Sequence, residues 1–178
     1  MKNTLYILRL AVTLLVITGL MAAALALVNQ ITAPKIAELK EAKTQQAIQA
    51  VLPGGGQEMD VPAGNPLVSK LYGSEKGYAV EVTPAGFDNT ITMMVGVDME
   101  GKVLGISIIS HTETAGLGAV AAAKTSAGEA FRGQFVGITE AAVSKDGGAV
   151  DAITGATITS RAVCAGVNAA LDCVKGLK

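Results

Sequence analysis

Tryptophan is absent from this chain of 178 residues, and aromatics amount to only 3%. A protein that binds single-stranded nucleic acid needs stacking platforms for bases, and few are available here. Charge of one sign is lacking too: 14 Lys and Arg stand against 15 Asp and Glu, with no basic run. The basic face of a nucleic-acid reader is therefore missing, and no nucleic-acid partner is expected. Metal ligands are equally scarce, with one histidine, His111, and two cysteines, Cys164 and Cys173. One chain cannot build a four-Cys cluster or a zinc Cys/His site from these, so no metal site is expected. The C-x-x-C-H run of a c-type haem is absent as well. If this chain moves electrons, an organic cofactor must carry them. The cysteines lie nine positions apart on one predicted helix. That is roughly 13 Å of rise on opposite sides, too far for a disulfide, which leaves them as small buried hydrophobes.

What the chain does have begins with a long apolar run. Residues 10–28 carry no charge and are mostly Leu, Val, Ile and Ala. As a helix they span roughly 28 Å, close to a bilayer core of about 30 Å. Lys2 and Arg9 on the N-terminal side place that end in the cytoplasm. A cleavable signal peptide is the alternative, since Ala22-Ala-Ala24 and Ala24-Leu-Ala26 suit a cleavage site. On either reading, residues beyond about 30 lie outside the cytoplasm.

The length suits one domain plus an anchor. Residues 1–30 form the N-terminal membrane anchor, residues 31–56 a helical connector, and residues 57–178 the folded domain. The connector predicts a helix over 34–52, with Pro34 in its first turn and Pro53-Gly54-Gly55-Gly56 as its stop. Ile36, Leu39, Ile48, Val51 and Leu52 share a face of it, and its mixed charges mark the solvated side. Residues 57–66, polar and with two prolines, read as loop. Strands are predicted over 67–72, 77–83, 90–98 and 103–110, with a hairpin turn at Asp98-Met-Glu-Gly101. Their short connections imply an antiparallel sheet, and helices must cover it, which makes an α+β domain behind a transmembrane helix. Between residues 119 and 150 the pattern is weaker. Short helical turns are predicted at 119–124 and 128–131, core positions at Phe131, Phe135 and Val136, and edge strands at Val143 and 150–153. No internal repeat or low-complexity segment is present.

The stretch with most chemical content is Asp151-Ala-Ile-Thr154-Gly155-Ala156-Thr157-Ile-Thr159-Ser160-Arg161. It is a loop of small and hydroxylated residues running into a helix. Val163, Val167, Ala170, Leu171 and Val174 give that helix one buried face. Thr159 or Ser160 is expected to cap it. A helix N-terminus offers unpaired N–H groups and the positive dipole end, so it can receive an anion. Gly155 and Ala156 leave the backbone open to a phosphate, and Thr154, Thr157 and Thr159 supply hydroxyls. The G-K-[ST] ending of a Walker loop is missing, so no lysine awaits the outer phosphates of a nucleotide. A well-capped surface helix behind a small loop explains the same residues without a ligand.

The run Asp151-x-x-Thr154-Gly155-Ala156-Thr157 closely resembles the flavinylation motif of FMN-binding domains. The chain as a whole resembles the G subunit of Rnf-type ion-translocating electron transport complexes, related to the C subunit of the sodium-pumping NADH:quinone reductase. The resemblance implies that residues 57–178 are an extracytoplasmic FMN-binding domain. It further implies that a flavin transferase joins FMN through its phosphate to the Thr157 hydroxyl, with Thr154, Gly155 and Ala156 as neighbouring contacts. Thr157 is then an acceptor and not a catalytic nucleophile, since no histidine or lysine of the motif stands ready to activate it; no catalytic residue is expected. Asp151 has a recognition or metal-positioning role during attachment, or simply stabilises a turn.

A second run, His111-Thr112-Glu113-Thr114-Ala115-Gly116-Leu117-Gly118, follows the last predicted strand. By itself it is a polar loop at a strand end, where binding groups are common and a lone His beside a Glu is more often structural. It is similar to the His-x-Glu-Thr-Pro-Gly-Leu-Gly run that packs on the flavin in the same family, with Ala115 in place of the proline. The similarity implies Leu117 over the ring and Glu113 and Thr114 at its polar edge or ribityl chain. The implied role is a membrane-anchored flavoprotein that relays electrons in an inner- or plasma-membrane complex. That complex couples ferredoxin and NAD oxidoreduction to Na⁺ or H⁺ transport, with membrane and iron–sulfur subunits as partners. The equivalent component of the quinone-reducing pump, which tends to be longer, is one alternative. An anchored module that binds a phosphate ligand without redox chemistry is another.

Overall fold

A computed structural model describes residues 2–62 and 64–177, and side chains from Tyr6 onward. Ala63, inside the expected 57–66 loop, and the Lys2 side chain lie outside the described residues. The chain divides into two compact units, Met1–Ala42 and Lys43–Lys178.

Helix α1 spans Lys2–Val51, with Pro34 inside it. The expected start at Pro34 is therefore corrected. Proline removes one N–H and crowds the preceding turn, yet the helix carries on through it. In the first unit α1 is long and apolar enough to cross a membrane, and its Leu, Val and Ile side chains are exposed. Its hydroxyls fold back on the helix: Thr13 donates to Arg9 O at 2.8 Å, Thr18 to Leu14 O at 2.9 Å and Thr32 to Val28 O at 2.9 Å. No polar side-chain group among these three is left facing outward unpaired, as a lipid surround requires. Ile36 and Leu39 are also exposed.

The second unit is a five-stranded antiparallel sheet in the order β1-β2-β3-β4-β5. The strands are β1 (Gln57–Met59), β2 (Val68–Ser74), β3 (Gly77–Val82), β4 (Thr92–Asp98) and β5 (Val103–Ser110). β1 falls where a loop was expected. Its three exposed residues give no buried face to read, and pairing with β2 alone makes it a strand. The hairpin turn between β4 and β5 is present, with Gly101 at φ +89° and its N–H donating to Asp98 O at 3.1 Å.

Strand alternation sorts the sheet into two faces. Leu71, Val80, Val95 and Ile106 are successive partners on one face, and Tyr72, Ala79 and Gly96 on the other. The first face is covered by helices α2 (Ser126–Gly133) and α3 (Thr157–Lys175). Val163, Val167, Ala170, Leu171 and Val174 of α3 are all buried there, as their spacing requires. Phe131 and Phe135 pack edge to face at 5.4 Å in the same core, whereas Val136 is exposed, contrary to expectation. Val136 sits in the turn that leaves α2, and only its predecessor Phe135 points inward. Val143 and Val150 meet in an isolated parallel bridge and not in edge strands. Residues Gly118–Ala122 form a 3₁₀ turn. Both cysteines are buried, and burial pushes the Cys164 thiol up to about 11.

The second face receives the C-terminal end of α1, through Ala47, Ile48, Val51 and Leu52 against Tyr72, Ala79, Met94 and Ile109. Gly96 permits this approach, since a Cβ there would overlap the Val51 carbonyl.

Candidate functional site

Helix α3 begins at Thr157, with Ala156 as its N-cap and no side chain capping it. The expected capping by Thr159 or Ser160 is corrected: both lie inside the first turn and are committed elsewhere. Ser160 Oγ donates to Ala156 O at 3.0 Å and accepts from Ile153 N–H at 3.0 Å, which ties the preceding loop to the helix. Ala156 N–H donates to Ile153 O at 2.9 Å around Gly155, whose φ of +76° only glycine adopts without strain. Among the described residues, the N–H groups of Thr157, Ile158 and Thr159 have no hydrogen-bond acceptor. They are the unpaired donors of a helix N-terminus.

Thr159 Oγ1 donates to Glu113 Oε2 at 2.5 Å, and the Phe87 N–H donates to Glu113 Oε1 at 2.8 Å. Glu113 is only 7% exposed. A buried carboxylate is tolerable only with such partners, and this one joins three segments: the 111–118 loop, the β3–β4 connection and α3. Gly86 and Gly118 make room for it, since a Cβ on either would overlap its carboxylate oxygens.

These segments enclose a cavity of about 380 Å³, inside the range of roughly 300–1,000 Å³ for small-molecule sites. Gly155, Ala156 and Thr157 line it from α3 and its loop, and Glu113, Thr114 and Leu117 line it from the loop after β5. The two sequence runs are thus brought together. Thr154 is not with them: it lines a separate depression beside Gly116, Gln134 and Asp151. Glu113 faces the cavity with both oxygens already accepting hydrogen bonds, so it braces the wall as well as lining it. His111 does not line the cavity.

Two lining residues lie outside both sequence runs and escaped the sequence reading. Phe87, 66% exposed, stands at the rim with the exposed Leu117 and Ile158. In a chain so poor in aromatics, a phenylalanine in a turn was the available signal. Lys145 is the other, and its Nζ donates to Thr157 Oγ1 at 3.4 Å. It belongs to a 3₁₀ turn, Ser144–Asp146, which Arg161 of α3 holds through Asp146. Arg161 Nη2 and Nε donate to the two Asp146 oxygens at 2.6 and 2.7 Å. That bidentate bond, with the guanidinium charge, holds the Asp146 carboxyl below the usual carboxylate range. Asp151 is held by its backbone, which exchanges bonds with the Gln134 side chain at 2.7 and 3.3 Å, while its own residue surface is exposed.

Apolar side chains, unpaired N–H donors and one ammonium around a cavity of this size suit a flat organic group carrying a phosphate. The family model described as FMN-binding domain matches residues 86–172, a span that includes both cavity-forming loops. The G subunit of the ion-translocating oxidoreductase complex of Methanosarcina acetivorans is 32% identical, over 98% of this chain and 97% of its own. The chain belongs to the G-subunit family of ion-translocating oxidoreductase complexes. The Pseudomonas aeruginosa member is 33% identical over 82% of this chain and 78% of its own. The G subunit of the Na(+)-translocating ferredoxin:NAD(+) oxidoreductase complex of Acetobacterium woodii is 30% identical over 95% of this chain and 92% of its own. The FMN-binding match takes in every residue that lines the cavity, together with β4, β5 and most of α3.

Proposed function

We propose that this chain is the membrane-anchored flavoprotein of an Rnf-type complex and carries FMN in phosphoester linkage to Thr157. The observation that carries the reading is the Thr157 hydroxyl at the uncapped start of α3, in the one cavity wall that also holds Glu113, Thr114 and Leu117. Linkage to Thr157 requires an FMN phosphoanhydride as donor, handled by a flavin transferase. The Thr157 Oγ–P bond forms, the anhydride P–O bond breaks, the second phosphate of the anhydride leaves with the bridging oxygen and its bonding electrons, the hydroxyl proton passes to the transferase, and no oxidation state changes. Bound flavin supplies the redox chemistry. The protein's residues hold and orient it: unpaired N–H groups of Thr157 and Ile158 for the phosphate, Leu117 and Phe87 for the ring, and Thr114 as a hydroxyl partner. A covalent bond prevents loss of the cofactor from a domain placed outside the cytoplasm.

In this reading residues 1–30 are the anchor, residues 31–56 a helical connector, and residues 57–178 the extracytoplasmic FMN-binding domain. The relay lies between cofactors of membrane and iron–sulfur subunits, in a complex that couples ferredoxin and NAD oxidoreduction to transport of Na⁺ or H⁺. The name of the Acetobacterium relative supports that coupling. The test is flavin fluorescence of the denatured protein band after co-expression with a flavin transferase. Wild type should fluoresce and Thr157→Ala should be dark. A fluorescent Thr157→Ala band would overturn the assignment of Thr157, and a dark wild-type band beside an active transferase would favour a non-redox binding module.

A further inference from the structure

We propose that Lys145 is a positioning residue for the flavin phosphate, pairing its ammonium with the phosphodiester formed at Thr157. The inference rests on Thr157 as the acceptor. No motif contains Lys145, and it lies 12 positions before the threonine that its Nζ reaches at 3.4 Å. An exposed lysine is usually mobile, but the turn beneath this one is constructed. Val143 is buried and bridged to Val150, and Ser144 N–H donates to Val150 O at 2.8 Å. Asp146 is fixed to α3 by the bidentate Arg161 contact, and Gly147 closes the turn at φ +87°. Gly148 lets the chain pass under it, since a Cβ there would overlap the Ala142 backbone. Arg161 is thereby spent on Asp146, and Lys145 is the cationic side chain that lines the cavity.

The phosphodiester carries one negative charge on two non-bridging oxygens. Unpaired N–H groups of α3 point to it from the helix start, and Lys145 reaches it from the neighbouring 3₁₀ turn that Asp146 ties to α3. A point charge on a flexible stem suits this position, because it can contact the hydroxyl oxygen before attachment and a phosphate oxygen afterwards.

The full-length chain, co-expressed with a flavin transferase, provides the test, with attachment followed over time by intact mass. Lys145→Gln should slow attachment about tenfold, the size of one charge-assisted hydrogen bond, while its melting temperature stays at the wild-type value. Lys145→Arg should restore the rate to within about threefold, as charge and not shape is the requirement. Lys76→Gln, on the β2–β3 turn, should behave as wild type. Phosphorus NMR of the loaded protein separates a contact with the phosphate from a contact with the transferase. In Lys145→Gln the resonance should move from the wild-type position toward that of the denatured protein. Equal rates in wild type and Lys145→Gln, or an unmoved resonance, would overturn the role of Lys145 alone. A wild-type chain that never gains flavin would overturn the acceptor reading together with it.

Discussion

The two faces of the sheet have the same alternating strands beneath them and very different burdens above. One face is apolar along its whole row, from Leu71 through Val80 and Val95 to Ile106, and takes the long helix α3 with Phe131 and Phe135. The other has Ala79 and Gly96 at its centre and takes only the last turns of α1. Large side chains on the first face set the depth of α3, and so the position of Thr157 at its end. Small side chains on the second let a helix backbone come close, which seats the last turns of α1 on the sheet. The difference teaches that the cavity beside Thr157 is tied to one core and the end of α1 to another. The two should be separable by mutation.

The sharpest break of that comparison is on the α3 face. Leu171→Ala removes a side chain 1% exposed and should cost about 2–5 kcal/mol of domain stability. Urea unfolding followed by circular dichroism measures the cost, and flavin attachment should fall with it, because α3 carries Thr157. Undiminished stability would mean that α3 is not what this core holds. A smaller effect is expected from Gly96→Ala, where the new methyl meets the Val51 carbonyl. The cost should be about 1–3 kcal/mol. Limited proteolysis should open first around Lys43 and Gly55, while flavin attachment at Thr157 continues. Loss of attachment in this variant would show that the faces are coupled.

Acid gives the smallest effect. Arg161 lowers the Asp146 carboxyl from its ordinary value of 3.8, so the folded chain binds that proton less readily than the unfolded one. Its stabilising contribution is present above the ordinary value and fades only as pH falls through the lower folded value. The difference in melting temperature between wild type and Asp146→Asn should thus hold steady from neutral pH to about pH 4 and shrink below it. A difference already gone at pH 6 would mean that another group governs the turn.

Much of this was legible in the chain itself. The apolar run, the four longer strands and the buried stripe of α3 follow from periodicity, which burial imposes residue by residue. Gly155 and Thr157 were legible because a glycine and hydroxyls before a helix restrict what the loop can do. β1 was not, since an edge strand of three exposed residues leaves no pattern. Pro34 misled because a proline in the first turn and a proline within a helix look alike in sequence. The caps misled for a related reason: Thr159 and Ser160 have the right chemistry, but Glu113 and Ile153 claim their oxygens from positions outside the first turn.

By itself, then, the sequence determined the elements with a regular period and the threonine that resembles a flavin acceptor. Only the tertiary structure decided what surrounds that threonine. Lys145 and Phe87 reach the cavity from two separate connections, beside the Glu113 that the resemblance already implied, and all three are placed by contacts that span a dozen residues or more. Local spacing governs a helix or a strand because neighbours along the chain make its bonds. A cavity is made by segments that meet only after the core has packed, and no spacing in the sequence records that meeting.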